Sequence, residues 1–371
     1  MLEQRQYQLE VIQGSTLAFQ NGAKRVMIEA PTGSGKTIMG LSVAKKIEPA
    51  TVIWVAMRRN LLSQAAKENQ KVGTKNVHYI SMFDRNIKRL TDLPRPLMLI
   101  VDEGHHDSAN TMVNLHNVIN PDFILGLTAT PYRTDKVKLM FEEVIRSASI
   151  HRLVRLGYLS QYHHYIIDKW SPSTVAEHYI SKPEHWGQSV AYFLKREDVQ
   201  EFYRIIMDNE DIIRHKLGRP VKSVIECIFG DTKGRDGILD DFRSGDVPLL
   251  ANCMVLTEGF DAPTLETVWV RDSSRGPTTQ MAGRVFRKHP EGNVKRVVQS
   301  KDTKYPVSRI TTPLEQWVFE DSWVSITCND EVDRECERMY QHIVSYNVVM
   351  PEFIMEKQKK NVAFDEDLLE D

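Results

Sequence analysis

The sequence predicts an α/β protein made of two tandem units, each built on a parallel sheet. Three observations carry that expectation. Short apolar runs rich in β-branched residues alternate with longer stretches of helical spacing, the pattern of repeated strand–helix–strand units. The pattern occurs twice along 371 residues, a length that accommodates two medium domains. Each apolar run of the first half leads into a polar or glycine-bearing segment, and open parallel sheets bind ligands at those carboxyl ends. Expected strands cover 25–29, 51–56, 97–101 and 123–127 in the first half, and 189–193, 224–228, 248–252 and 267–270 in the second. The units are placed at 1–160 and 186–320, with a linker at 161–185 that holds Trp170-Ser171-Pro172-Ser173 and Pro183. An extension follows at 321–371. Within it Val332, Cys336, Met339, Tyr340, Ile343 and Val344 recur every three to four residues, so a short C-terminal helical segment is expected. The acidic tip, Asp365-Glu366-Asp367 and Glu370-Asp371, reads as a solvated end.

Composition narrows the class. Hydrophobic residues make up 41% and charged residues 26%, which fits a soluble globular chain rather than a disordered one. The formal charge of −2 does not itself point to nucleic acid, yet a basic groove fits inside a neutral total. No apolar run reaches the roughly 18–20 residues of a membrane helix, and the N-terminal residues are polar, without a signal-peptide core. Cys227, Cys253, Cys328 and Cys336 form no Cys-x-x-Cys pair and no metal spacing, so reduced thiols and a cytoplasmic-type compartment are expected. His163 and His164 are neighbours on an expected strand and point to opposite faces, which argues against a shared metal.

The chemistry begins at Ala30-Pro31-Thr32-Gly33-Ser34-Gly35-Lys36-Thr37, between a strand and a helix. That is the context of a phosphate-binding P-loop. Glycines let backbone N–H groups turn toward a phosphate, and the helix N-terminus adds a positive dipole end. Lys36 is expected at the β- and γ-phosphates, with the Thr37 hydroxyl on Mg2+. Ala30 stands where the general pattern begins with glycine, but Gly33 and Gly35 keep the turn. Downstream, the apolar run Leu99-Ile100-Val101 ends in Asp102-Glu103. Asp102 is the expected Mg2+ ligand, and Glu103 the expected base for an attacking water.

Asp102-Glu103-Gly104-His105 resembles the DEAD/DEAH box of superfamily 2 helicases, with Gly104 in place of the usual Ala or Cys. Further motifs resemble that family in order. Arg5-Gln6-Tyr7-Gln8 is similar to its Q-motif, which implies that Arg5 and Gln8 help bind the nucleotide, Gln8 at adenine. Leu127-Thr128-Ala129-Thr130-Pro131 resembles motif III. Thr257-Glu258-Gly259-Phe260-Asp261 resembles motif V, and Gln280-Met281-Ala282-Gly283-Arg284-Val285-Phe286-Arg287 resembles motif VI. Leu156-Gly157-Tyr158-Leu159 and Leu256-Thr257-Glu258-Gly259-Phe260-Asp261 place the resemblance nearest to phage UvsW-type helicases, RadD-like helicases and the motor subunits of type I and III restriction enzymes.

The resemblance implies two RecA-like domains closing on one ATP and Mg2+. Arg284 and Arg287, three apart on an expected helix, would share a face as arginine fingers. Gly259 and Asp261 would line the interdomain cleft. His105, Thr128, Thr130 and Gln280 would couple hydrolysis to closure. Arg58 and Arg59 of a motif Ia-like segment, Ser81 of a motif Ib-like segment and Thr257 would touch a nucleic-acid backbone. DNA is implied rather than RNA, read mainly through phosphate and sugar, in a soluble phage or bacterial setting. The expected activity is nucleic-acid-dependent ATP hydrolysis that unwinds or remodels DNA. A duplex translocase without strand separation, an RNA helicase and an ATP-gated scaffold stay open as alternatives.

Overall fold

The computed structural model describes residues 3–84, 86–104, 110–129, 141–256, 262–288, 291, 295–311, 317–319 and 323–325. The first sheet comprises β1 (Arg25–Glu29), β2 (Thr51–Ala56), β3 (Val77–Ser81), β4 (Leu97–Asp102), β5 (Phe123–Thr128) and β6 (Glu143–Arg146). The strands lie in the order β3-β2-β4-β5-β1-β6, and every pairing is parallel. Helices α1 (Gln6–Gln20), α2 (Lys36–Ile47), α3 (Arg59–Val72) and α4 (Asn110–Ile119) belong to this unit. Parallel strands need crossover connections, which is why helices alternate with them.

The runs read as continuous apolar segments because both faces of each strand are buried. Val52 and Trp54 of β2, with Met98 and Ile100 of β4, pack into one cluster beside Val11, Ile12 and Phe19 of α1. Their neighbours Ile53, Val55, Leu97, Leu99 and Val101 pack on the other face with Leu115 and Ile119 of α4.

The second sheet runs β7-β12-β11-β8-β10-β9, again all parallel. Its strands are β7 (Tyr162–Ile167), β8 (Ser189–Phe193), β9 (Glu226–Ile228), β10 (Leu249–Cys253), β11 (Thr267–Trp269) and β12 (Lys295–Ser300). Around it lie α5 (Ile150–Arg155), α6 (Pro172–Ser181), α7 (Pro183–Trp186), α8 (Arg196–Asp208), α9 (Glu210–Leu217), α10 (Arg235–Ser244), α11 (Arg275–Gly283) and α12 (Ser308–Thr311). Val190 and Tyr192 of β8 face one core, and Ala191 and Phe193 the other.

Two boundaries differ from the sequence reading. The expected linker at 161–185 supplies the edge strand β7, paired to β12, and the helix α6, capped by the Ser171 side chain. Helix α5, expected in the first unit, buries Ile150, Leu153 and Val154 in the core that also holds Val285 and Phe286. The second unit therefore begins near Ile150. Tyr7 of α1 enters that same core, so the first unit is anchored in the second. The short strands β13 (Trp317–Phe319) and β14 (Trp323–Ser325) pair antiparallel, astride the expected boundary at 320. The helical spacing at 332–344 and the acidic tip lie outside the described residues. No helix among the described residues is long and apolar enough to cross a membrane.

Candidate active site

The phosphate loop stands at the carboxyl end of β1. Gly33 (φ 82°) and Gly35 (φ 87°) are left-handed, as the loop requires, and Gly35 is the residue from which α2 starts. Ser34 closes the turn by donating from its backbone N–H (3.2 Å) and its hydroxyl (2.7 Å) to the Pro31 carbonyl. Lys36 is half-buried and donates to the Ala30 carbonyl at 3.1 Å; Thr37 follows it in the first turn of α2.

The sheet order β4-β5-β1 brings the catalytic candidates beside that loop. Asp102 ends β4 opposite Leu127, and the Ala30 N–H donates to the Thr128 carbonyl at 2.9 Å, so the ends of three adjacent strands share one edge. The Asp102 carboxylate accepts the Glu103 N–H at 3.2 Å. Glu103 has φ 56°, a costly conformation for a side-chain-bearing residue and one that turns the chain sharply at the strand end. Gly104 is explained by packing. A Cβ there would lie 3.1 Å from the Gly126 Cα and 3.4 Å from the Leu127 N, in the backbone of β5.

The second unit supplies cations from across the cleft. Helix α11 ends at Gly283, and residues 284–286 form a turn, so Arg284 and Arg287 do not share one continuous helical face. Both nevertheless come within electrostatic reach of Lys36. Burial pushes the Lys36 ammonium below its ordinary range; Glu103 and then Asp102 pull it up, while Arg284 and Arg287 push it down. Among the described residues, Lys36, Arg284 and Arg287 stand against Asp102 and Glu103, an arrangement suited to an anion. Direct contacts join the halves. A Cβ on Gly33 would meet the Arg287 Cγ at 3.1 Å, and one on Gly283 would meet the Thr32 Oγ1 at 3.1 Å. Burial lowers the Arg287 guanidinium to about 10, still charged at neutral pH.

The family described as "Type III restriction enzyme, res subunit" matches residues 1–91 and 77–133. A candidate mitochondrial ATP-dependent helicase, irc3, of Schizosaccharomyces pombe is 25% identical over 342 residues, 78% of this chain and 55% of the yeast protein. The DNA 3'-5' translocase XPB2 of Sulfurisphaera tokodaii is 22% identical over 378 residues, 83% of this chain and 84% of the relative. Among solved structures, a fragment of a candidate HsdR subunit of a type I restriction enzyme from Vibrio vulnificus YJ016 superposes with a TM-score of 0.63 at 18% identity, covering 82% of this chain and 67% of the other. This chain is a relative of the superfamily 2 helicases and restriction motor subunits. Its two parallel sheets are tandem RecA-like domains. The chain spans about half the length of curated relatives such as the yeast protein.

In this superfamily 2 relative the Q-motif-like residues are tied to the P-loop. Gln8 donates to the Ser34 carbonyl at 2.9 Å and accepts the Arg5 N–H at 3.0 Å. Tyr7 donates its hydroxyl to the same Ser34 carbonyl at 2.7 Å. Gln8 thus holds the loop through its amide nitrogen and caps the start of α1 through its amide oxygen. Arg5 stacks its guanidinium 4.7 Å above the Tyr158 ring. Gln280 is half-buried on α11.

The remaining expected residues scatter. Arg58 and the exposed Arg59 follow β2, and Ser81 ends β3, both at the carboxyl edge of the first sheet. Thr257, Gly259, Asp261, His105 and Thr130 lie outside the described residues. Two features have no site role in the sequence reading. Arg235, first residue of α10, lies within electrostatic reach of Arg58 of the first domain; burial first and then the Arg58 charge depress its pKa. The signal was available, since Arg235 follows a glycine-bearing segment after β9. Leu156-Gly157-Tyr158-Leu159 enters the sequence reading only as a family resemblance and Ser160 not at all, yet Tyr158, Leu159 and Ser160 reach Arg5, Gly33 and Arg287.

Proposed function

We propose that this protein hydrolyses ATP with Mg2+ and couples closure of its two RecA-like domains to movement along DNA, unwinding or remodelling it. The observation that carries the reading is the Arg287 stem lying against Gly33 of the loop, with Asp102, Glu103 and Arg284 within electrostatic reach of Lys36. The residues fit a Mg2+–triphosphate. The loop is left-handed at both glycines, the local charge favours an anion, and Thr37 and Asp102 offer the oxygen donors Mg2+ prefers. Bound Mg2+ supplies charge neutralisation on the phosphate oxygens. Lys36 holds the β- and γ-phosphates, and Glu103 accepts the proton of the attacking water. Arg284 and Arg287 stabilise charge on the transferring group only while the domains are closed, so loss of the γ-phosphate releases the second domain. The strand-end residues Arg58, Arg59 and Ser81, joined by Arg235, line the side where a backbone would be held.

The test measures phosphate release with single-stranded DNA, duplex DNA, forked DNA and RNA in parallel, for the native chain and Arg287→Ala. Stimulation by DNA that vanishes in the variant is the expected result. Turnover that ignores both would overturn it. A second reading, translocation on duplex without strand separation, is favoured by the likeness to XPB2, a named translocase matched over most of its length. A strand-displacement assay decides between them.

A further inference from the structure

Residues 157–160 connect α5 to β7 and belong to neither the P-loop nor the arginine pair, yet they bear on both. The connection leaves α5 through a tight turn. The Gly157 N–H donates to the Val154 carbonyl at 2.9 Å and the Tyr158 N–H to the Leu153 carbonyl at 2.8 Å, with Gly157 left-handed at φ 70°. Because Leu153 and Val154 are fixed in the second core, the segment moves with the second domain. Its next three residues face three parts of the nucleotide site. The half-buried Tyr158 ring lies under the Arg5 guanidinium at 4.7 Å and against the Tyr7 ring at 5.3 Å. Leu159 is buried and approaches the P-loop, 3.4 Å from where a Gly33 Cβ would stand. Ser160 holds the backbone of the arginine turn: its N–H donates to the Phe286 carbonyl at 2.8 Å and its hydroxyl to the Arg287 carbonyl at 3.1 Å.

The contacts close a ring. Ser34 accepts from Tyr7, Tyr7 packs on Tyr158, two residues later Ser160 grips Arg287, and Arg287 lies on Gly33, next to Ser34. At the Arg5–Tyr158–Tyr7 corner a half-buried cation, Arg5, and a half-buried ring, Tyr158, are the groups on which a flat purine stacks, with the Tyr7 ring buried behind them. The corner sits within two bonded side chains of the loop that takes the triphosphate. A change at that corner therefore has a route to Arg287 that bypasses the phosphates.

We propose that Tyr158 and Ser160 are positioning residues that relay occupancy of the purine-base site to Arg287, so that the base sets the catalytic rate and not only the affinity. The proposal rests on the ATPase reading above. Its physical basis is that small misplacement of a catalytic group costs rate steeply, on the order of 10²-fold for 1 Å. A nucleotide that leaves the corner empty leaves Arg287 where the strap alone places it, and one that fills it draws the strap and the arginine turn together.

The experiment compares steady-state hydrolysis of ATP and of inorganic tripolyphosphate, which has no base, by the full chain with stimulating nucleic acid. Variants are Tyr158→Ala, Tyr158→Phe and Ser160→Ala. The native chain is expected to turn over ATP with a kcat at least tenfold above that for tripolyphosphate. Tyr158→Ala should lower the ATP kcat toward the tripolyphosphate value while tripolyphosphate turnover changes less than twofold. Tyr158→Phe, which keeps the ring, should restore the preference. Ser160→Ala removes a single hydrogen bond at a half-buried position, so it tests the relay even if Tyr158→Ala folds poorly; a severalfold fall in ATP kcat at unchanged KM is expected. Equal losses on both substrates, or a change in KM alone, would overturn the relay. A native chain with no preference in kcat would do the same. A native chain that hydrolyses no ATP instead removes the ATPase reading itself.

Discussion

Arg287 lies on Gly33. The two residues belong to different domains, and a Cβ at Gly33 would stand 3.1 Å from the Arg287 Cγ and 3.7 Å from its Nε. The bare glycine thus does two things. It permits φ 82°, and it lets the arginine stem close over the phosphate loop.

That pairing predicts the behaviour of Gly33→Ala. The methyl strains the backbone by roughly 1–3 kcal/mol and holds Arg287 off the loop. Turnover should fall at least about tenfold, in the same direction as Arg287→Ala, for which a loss of about 10³ is expected from the worth of arginine fingers. Combined, the two changes should cost little more than Arg287→Ala alone. Fully multiplicative losses in a kcat double-mutant cycle would show that the residues act independently.

Glu103→Gln keeps the shape of the side chain and leaves Asp102 and Thr37 in place, but the amide cannot accept a proton from water. Turnover should drop by roughly 10² or more while ATP-dependent affinity for the nucleic-acid strand holds or rises. Fluorescent-nucleotide and strand titrations check this. Loss of nucleotide binding would contradict the division of labour between the two carboxylates.

Gly104→Ala installs a residue usual at this place in the resembling helicases, and here it should destabilise. The new Cβ meets the backbone of Gly126 and Leu127 on β5, and Met27 Cε at 3.3 Å. Backbone inside a six-stranded sheet yields little, so a loss of about 1–3 kcal/mol is expected. Urea denaturation measures it. Unchanged stability would mean that the strand end shifts freely.

Legibility followed the range of each interaction. Strands β1, β2, β4 and β5 stood out because both faces are buried, so their sequences are unbroken apolar runs. Strand β6 has mostly exposed residues and gave no such run. Strand β12 opens with Lys295, which is fully buried because its ammonium donates to the Pro263 and Leu265 carbonyls; a charged residue at that place hides a strand from pattern reading. Strand β7, half polar at a sheet edge, passed for linker. The P-loop and Asp102-Glu103 were legible from spacing, since each is one strand and the turn after it. Arg284 and Arg287 came from resemblance. Tyr158, Ser160 and Arg235 gain their places from contacts between distant segments, which no local pattern records.

His164 gives a pH signature. It is half-buried on β7, and burial lowers its pKa to about 4, with a Gln299 hydrogen bond working the other way. The unfolded chain takes up this proton near 6.5. Above that pH both states hold a neutral ring and nothing is lost; as pH falls from 6.5 toward 4, only the unfolded state gains the proton and stability declines. At pH 5 the loss is on the order of 2 kcal/mol. His164→Asn should therefore be less acid-sensitive than the native chain. The measurement is the native-minus-variant difference in urea stability at pH 7.5 and pH 5.0. His163 and His185, whose pKa values are also lowered, are common to both chains and cancel. A pH-independent difference would contradict the burial-driven shift.

Arg58 and Arg235 lie within electrostatic reach of one another from opposite domains, and after burial their mutual repulsion is part of what depresses the Arg235 pKa. Two like charges brought together by closure oppose that closure, unless an anion sits between them. A backbone phosphate of the bound strand answers that description. It requires no base contact, in keeping with sequence-independent binding. If one phosphate is shared, Arg58→Ala and Arg235→Ala should each weaken strand binding but change the slope of log affinity against log salt little, because the remaining arginine still neutralises that phosphate. The double variant should reduce the slope by about 0.7, the value for one phosphate on a single strand. Salt titrations of the three variants and the native chain, read by anisotropy with a labelled oligonucleotide, supply all four slopes. A double variant that loses about 1.4 in slope would assign a phosphate to each arginine. An unchanged slope in the double variant would place the strand elsewhere on the protein.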